Sequence, residues 1–184
     1  MDIVARAKAI LTTPNTEWPV IEAEASSVES IYRDYVIYLA AIPAIAGFIG
    51  TSLIGLGPLR VGILTGLIGA VVSFGLQLVG VYVLAYLTDY LAPQFNGRKN
   101  FLSAFKLAAY SMTAAWLAGI FAILPLLAIL GIVGLYSFYL FYIGLPVLMK
   151  SPPDKSVIYT AAVFVAAVVV FAVIGLVRGL ILGV

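Results

Sequence analysis

Polar side chains are scarce in the long apolar stretches of this sequence, and those that occur there are the first candidates for chemistry. Gln77 is the one amide deep within such a stretch, and Ser73 precedes it by one helical turn. A later stretch carries Tyr136, Tyr139 and Tyr142. These groups form hydrogen bonds without carrying a charge. They can line a polar cavity or clamp neighbouring helices together, and the tyrosines also suit an aromatic belt at the membrane surface.

Most residue types used in catalysis and metal binding are missing. The sequence contains no histidine and no cysteine, which excludes thiol nucleophiles, histidine bases and Cys/His zinc sites. Asp89 and Asp154 are the carboxylates best placed to bind a metal, and they lie in different loops. We therefore expect no catalytic residue, no metal, no cofactor and no enzymatic activity. The net charge of +2 gives nucleic-acid binding no electrostatic basis.

Small residues form a stripe along the stretch that carries Gln77. The stripe consists of Gly62, Gly66, Gly69, Ser73, Gln77 and Gly80. Its spacing keeps these residues on one face of a helix. In a membrane, small residues let two helices approach closely and associate. A stripe that packs within the chain is compatible with a monomer, whereas a stripe that faces lipid predicts a homo-oligomer.

The elements that must position these residues are membrane-spanning helices. Of the 184 residues, 64% are hydrophobic and only 10% are charged, against about 25% charged in soluble domains. A soluble fold of this length cannot hide so much apolar surface. We predict an all-α, polytopic membrane protein with the lipid bilayer as its solvent.

Gaps between charged residues mark the spans, because charges are costly in hydrocarbon. The uncharged stretches contain 25, 28, 43 and 22 residues, and one spanning helix needs about 20. The third stretch holds two helices with a break near Pro125, since proline interrupts a helix. The predicted spans are 35–56, 61–88, 104–123, 127–149 and 157–179, which together form a five-helix transmembrane domain over 35–184.

The distribution of charge predicts the orientation. With five spans, eight lysines and arginines lie on the side of the N-terminus and two lie on the other side. Cytoplasmic loops carry the excess of lysine and arginine. We therefore expect a multi-pass protein of the inner membrane with a cytoplasmic N-terminus and a C-terminus outside.

Residues 1–34 are predicted to form a cytoplasmic N-terminal segment. The apolar spacing within 1–12 favours a short amphipathic helix on the inner leaflet. Trp18 suits an interfacial anchor, and Ser26 to Glu29 fits a capping box that begins the first long helix. The segment is acidic, which favours a protein partner or packing on the basic 98–106 loop, although a solvated face explains the charge equally well.

Several short motifs, taken in order, resemble a known family. They are LTTPNTEWPVI (Leu11–Ile21), GRKNF (Gly97–Phe101), AFK (Ala104–Lys106), AYS (Ala109–Ser111), WLAG (Trp116–Gly119) and YLFYIGL (Tyr139–Leu145). With them the chain resembles the bacterial branch of the Yip1 family. The positions taken from these motifs are Gly97, Asn100, Phe101, Lys106, Tyr110, Ser111 and Gly144. The resemblance implies five spans and a cytoplasmic N-terminus. Eukaryotic members bind small GTPases in vesicle traffic, a partner that bacteria lack.

Two functions of different classes follow from these observations. The first is a non-enzymatic scaffold or membrane-organising protein that acts through its cytoplasmic face, where nearly all charges lie. The alternative is a carrier or lipid-handling protein with a cavity lined by Gln77 and the tyrosines. Movement of a solute or lipid in liposomes, lost on Gln77→Leu, would favour the carrier.

Overall fold

The computed structural model describes residues 2–55 and 60–182, and these residues are almost wholly helical, with no strand. Backbone groups in hydrocarbon have no water to bond, so a spanning segment must satisfy them within itself. Two short helices come first, α1 (Ile3–Thr12) and α2 (Pro14–Ala23). Five long helices follow, α3 (Val28–Ile54), α4 (Ile63–Phe95), α5 (Phe101–Ile123), α6 (Ile129–Met149) and α7 (Ser156–Leu182).

The prediction of an all-α protein with five spans is confirmed. Helices α3 to α6 are each long and apolar enough to cross a membrane, and so is the segment Pro153–Val170, which contains the first half of α7. The first of them begins before the predicted residue 35 because a cap starts it at Ser27. Ser27 and Ser30 exchange backbone–side-chain hydrogen bonds of 2.9 and 3.1 Å, so the capping box lies one residue later than expected. The predicted end of this span, residue 56, lies outside the described residues.

The break between α5 and α6 falls where proline predicts it. Leu124 is extended, with φ −108° and ψ 107°, and Pro125 opens the next helical segment. Both sides of the break are wound as 3-10 helix, over Gly119–Ile123 and Pro125–Leu135. Proline at the first position of a helix loses no hydrogen bond, because the N–H there has no intrahelical partner.

Helix α5 lies at the centre of the bundle. Over half of its most apolar stretch, 56%, is buried, against 11% for α4. It packs on α4 and α6 and also on the N-terminal helices. The largest fully buried side chains are Trp18, Trp116, Tyr35, Tyr159, Phe105 and Phe141. The core therefore draws on the N-terminal segment as well as on the spans.

Helices α1 and α2 pack on the bundle rather than lie on a lipid surface alone. Ala7 and Ile10 of α1 are buried, while Val4 on its other side is 76% exposed. Trp18 and Ile21 of α2 are completely buried. The expectation that Trp18 is an interfacial anchor is wrong, because the indole is completely buried within the protein, against Gly144 of α6.

Candidate functional site

The N-terminal helices meet the bundle at a contact that we call the docking site, formed by Arg6, Trp18, Lys106, Tyr110 and Gly144. The indole of Trp18 lies against the backbone of α6 at Gly144. A Cβ atom added at Gly144 would lie 2.5 Å from Cε2 of Trp18, which is shorter than van der Waals contact. Glycine at this position therefore makes the room that the indole occupies.

Lys106 joins α5 to the end of α2. Its side chain is buried, and its ammonium group donates hydrogen bonds of 2.8, 3.3 and 2.6 Å to the carbonyl oxygens of Ile21, Glu22 and Glu24. The last carbonyls of a helix have no intrahelical partner, and the C-terminal end of the helix dipole favours a cation. Lys106 thus caps α2 from a different helix. The sequence marked this lysine as a family-motif position, but no local pattern could show what it binds.

Arg6 holds the two short helices together. Its guanidinium forms ion pairs with Glu17 and Glu24, and its side chain is only 10% exposed. It also lies over the ring of Tyr110, 5.8 Å from the centroid. The acidic N-terminal segment therefore uses two of its carboxylates internally. Sequence reasoning missed this network, because the spacing within 1–12 predicts a helix but does not show which side chains Arg6 meets.

A polar pocket of about 170 Å³ opens beside the docking site. Its polar lining comes from Glu24, Ser26, Ser30, Asp34 and Tyr110. The volume is enough for a few water molecules. Among the described residues, no group of three histidine, cysteine or acidic side chains could hold a metal ion.

Two family-motif positions shape the loop that leads into α5. The Cα of Gly97 lies against the end of α6, where an added Cβ would be 3.1 Å from the carbonyl oxygen of Met149. Asn100 is the N-cap of α5, and its side-chain oxygen accepts a hydrogen bond of 3.1 Å from the backbone N–H of Ser103. These two positions hold the loop and begin the helix.

The other two motif positions lie within α5. The ring of Phe101 packs on that of Tyr82 in α4, with a centroid distance of 5.2 Å. Ser111 is buried, and its hydroxyl has no hydrogen-bond partner among the described residues. Neither arrangement brings a reactive group to a cavity.

Gln77 connects α4 to α3. Its amide nitrogen donates a hydrogen bond of 3.2 Å to the carbonyl oxygen of Ala40. Ser73, one turn earlier on α4, is exposed. The amide is therefore used between two neighbouring helices.

The three tyrosines of α6 lie elsewhere in the bundle. Tyr136 donates a hydrogen bond of 3.2 Å to the carbonyl oxygen of Leu11. Tyr139 and Tyr142 line an apolar groove between α6 and α7. Gln77 is not among the residues that line this groove, so the structure does not gather the four side chains around one described cavity.

The stripe of small residues on α4 is divided between two environments. Gly66 is buried against Ser52 and Phe48 of α3. Gly69 has no atom within 4 Å of an added Cβ, and Gly62 is likewise exposed. Gly80, at the far end of the stripe, is half-buried. One part of the stripe thus packs within the chain, and the other part faces outward.

Comparisons with known proteins agree with this architecture. The model of the Yip1 domain matches residues 8–174. The chain is 31% identical over 119 residues to the inner membrane protein YohC of Escherichia coli K12, and equally to its namesake in Escherichia coli O6:H1. The aligned region covers 62% of the chain and 61% of the length of these curated relatives. No solved structure matches the chain. Because the family model matches most of the chain, including all five candidate spans, the chain belongs to the Yip1 family.

Proposed function

We propose that this protein is a non-enzymatic scaffold or membrane-organising protein of the inner membrane, which presents a fixed cytoplasmic face to a protein partner. The observation that carries the proposal is the docking of α1 and α2 by Trp18, Lys106 and Arg6. A segment held in place before binding does not have to be ordered when a partner arrives, which saves conformational entropy. The relatives in Escherichia coli are named inner membrane proteins, which supports placing this protein in the inner membrane.

The proposed orientation rests on the excess of lysine and arginine on the N-terminal side. The chain has no native cysteine, so single-cysteine variants give an unambiguous label. Lys99→Cys and Arg60→Cys are suitable because both residues are exposed and lie at opposite ends of α4. In intact cells with a permeable outer membrane, an impermeant maleimide should label Arg60→Cys and spare Lys99→Cys. The reverse pattern would contradict the orientation.

The proposed partner can be tested by photocrosslinking in cells. Val4 and Val20 are 76% and 53% exposed on the outer sides of α1 and α2, so a photoreactive amino acid there should not disturb the core. Leu126, which is 83% exposed at the opposite end of the bundle, is the matched control. A scaffold predicts discrete adducts from Val4 and Val20 that are absent from Leu126. Identical adducts from all three positions, or none, would refute it.

The alternative is a carrier or lipid-handling protein with a cavity around Gln77 and the tyrosines. Reconstitution in liposomes separates the two functions. Transport that is lost on Gln77→Leu, while the protein remains folded, would favour the carrier. Under the scaffold proposal, Gln77→Leu lowers only the melting temperature, since the amide bonds to Ala40.

A further inference from the structure

We propose that the groove between α6 and α7 binds one anionic phospholipid, with an acyl chain in the groove and the phosphate at the basic edge where α6 ends. The groove has a volume of about 480 Å³, which lies within the range of ligand sites in proteins. Its lining comes from Phe138, Tyr139 and Tyr142 of α6 and from Val157, Thr160 and Phe164 of α7.

The interior of the groove suits a hydrocarbon chain. The rings of Phe138 and Phe164 lie 4.2 Å apart between centroids and join its two walls. Its lining on α7 extends from Val157 to Val165, a length of about 12 Å at the rise of an α-helix. Van der Waals contact with such a surface favours an acyl chain over water, since the surface that the groove exposes is almost wholly apolar.

One polar group of the lining lacks a partner. Thr160 is about nine-tenths buried, and its hydroxyl has no hydrogen-bond partner among the described residues. An unsatisfied hydroxyl is unfavourable in hydrocarbon. The hydroxyl oxygen has almost no exposed surface, so it would donate to the ester oxygen of a glycerolipid only after a change of its side-chain rotamer.

Basic residues lie on two loops that meet at the end of α6, beyond the end of the groove that Tyr142 and Val157 line. The loop between α6 and α7 carries Lys150 and Lys155. A backbone hydrogen bond of 2.6 Å from Arg98 to the carbonyl oxygen of Met149 brings Arg98 and Lys99 to the start of that loop. This convergence is a product of the fold, because the two loops are far apart in sequence.

The charge of this basic edge is largely uncompensated. Lys150 forms an ion pair with Glu22, but Arg98, Lys99 and Lys155 form none within the described part of the chain. Asp154 is the one carboxylate on the loop between α6 and α7, so cations outnumber it. Basic pockets at the ends of spanning helices bind anionic lipid headgroups. The adjoining groove and the charge together select an anionic phospholipid rather than a zwitterionic one.

Native mass spectrometry of the whole protein in detergent tests this proposal. The protein is mixed with equal amounts of phosphatidylglycerol and phosphatidylcholine that carry the same acyl chains, and the two adducts are counted. We expect an excess of phosphatidylglycerol. Each of Lys155→Gln and Arg98→Gln should reduce that excess about fivefold, from the attraction of one basic residue for an anionic headgroup. Lys8→Gln, an exposed lysine of α1, is the charge-matched control and should leave it unchanged.

A second pair of variants tests the groove itself. Ala161 is exposed and lines the groove, so Ala161→Phe fills it without disturbing the core. The matched control is Ala70→Phe, which fills a separate apolar groove of about 280 Å³ between α3 and α4. Ala161→Phe should lower the total of bound lipid, whereas Ala70→Phe should not lower the phosphatidylglycerol adduct.

Three results would refute the proposed lipid-binding site. They are equal retention of both lipids by the unmodified protein, an effect of Lys8→Gln as large as that of Lys155→Gln, and an unchanged adduct in Ala161→Phe. The charge variants replace side chains outside the core, so they decide the question even if a groove variant fails to fold. The experiment is independent of the proposed scaffold function and of which leaflet faces the basic edge.

Discussion

Lys106 shows how a single charged side chain can be placed inside an apolar bundle. Its ammonium group is enclosed by three backbone carbonyl oxygens at the end of α2. The cost of burying a cation falls when it is hydrogen-bonded, and the carbonyls gain the partners that the helix cannot give them. The lysine and the end of α2 therefore stabilise each other.

Replacing this lysine should destabilise the protein. In Lys106→Met, the carbonyls of α2 stay buried without a donor, and we expect a loss of about 1–3 kcal/mol in the free energy of unfolding. Thermal unfolding in detergent measures it as a lower melting temperature. Lys99→Met, an exposed lysine on the loop before α5, is the control and should unfold like the unmodified protein. Equal melting temperatures for the two variants would show that the cap contributes nothing.

Gly144 permits a second residue-scale test. In Gly144→Ala the new methyl group meets the indole of Trp18 at 2.5 Å, and overpacking of this kind costs about 1–3 kcal/mol. Gly69→Ala adds the same methyl group to open space, so its melting temperature should hold or rise. If the indole causes the loss of stability, Gly144→Ala should lower the melting temperature less when Trp18→Leu is also present. An equally large drop in the double variant would show that the new methyl group clashes with a different residue.

At the scale of elements, α1 and α2 are part of the core. Ile10, Trp18 and Ile21 are fully buried and belong to the same apolar cluster as residues of α3 to α7. Burying one large apolar side chain contributes about 1.5–3 kcal/mol. The N-terminal helices therefore stabilise the bundle and are more than an appended tail.

Deletion of residues 2–24 should consequently lower the melting temperature of the remaining spans. The measurement is thermal unfolding in detergent, followed by the fluorescence of Trp116, which stays in the deleted chain. The control is a double substitution at exposed positions of the same helices, Val4→Ser and Val20→Ser, which should leave stability nearly unchanged. A deleted chain that unfolds at the original temperature would contradict the packing described for α1 and α2.

The stripe of small residues on α4 lies partly against α3 and partly on the outside of the bundle. Gly66→Leu should destabilise the chain, because Ser52 and Phe48 occupy the space that the new side chain needs. Gly69→Leu should leave stability unchanged, since its surroundings are open. If the outward part of the stripe associates with a second copy, Gly69→Leu alone shifts the elution volume in detergent toward a smaller species. An unchanged elution volume assigns that surface to lipid.

At the scale of the whole molecule, the five long helices differ in their contact with lipid. The buried share of the most apolar stretch rises from 11% in α4 to 56% in α5. A membrane-soluble carbene probe reacts with side chains that lipid can reach. Mass spectrometry of the labelled protein should therefore find most modification on α4 and least on α5. Uniform labelling of both helices would contradict the central position of α5.

Composition and the long uncharged runs determined that this chain is helical and membrane-embedded, because a continuous apolar run of about 20 residues satisfies its own backbone in hydrocarbon as an α-helix. The spacing of charges determined the number of spans, and Pro125 determined where the long third stretch divides. These features depend on local sequence and on the thickness of a bilayer, which is why no tertiary contact was needed to predict them.

Only the tertiary structure decided what the polar and aromatic residues contact. Trp18 is suited by type to a membrane interface, yet it is buried beside Gly144, a residue far away in sequence. The partners of Lys106 are backbone oxygens of α2, and every peptide unit offers such an oxygen, so no sequence pattern marks which ones a lysine meets. Likewise, a backbone hydrogen bond from Arg98 to Met149 joins the loop before α5 to the end of α6. Contacts between distant segments depend on how helices pack, and packing follows from shape in three dimensions rather than from residue type along the chain.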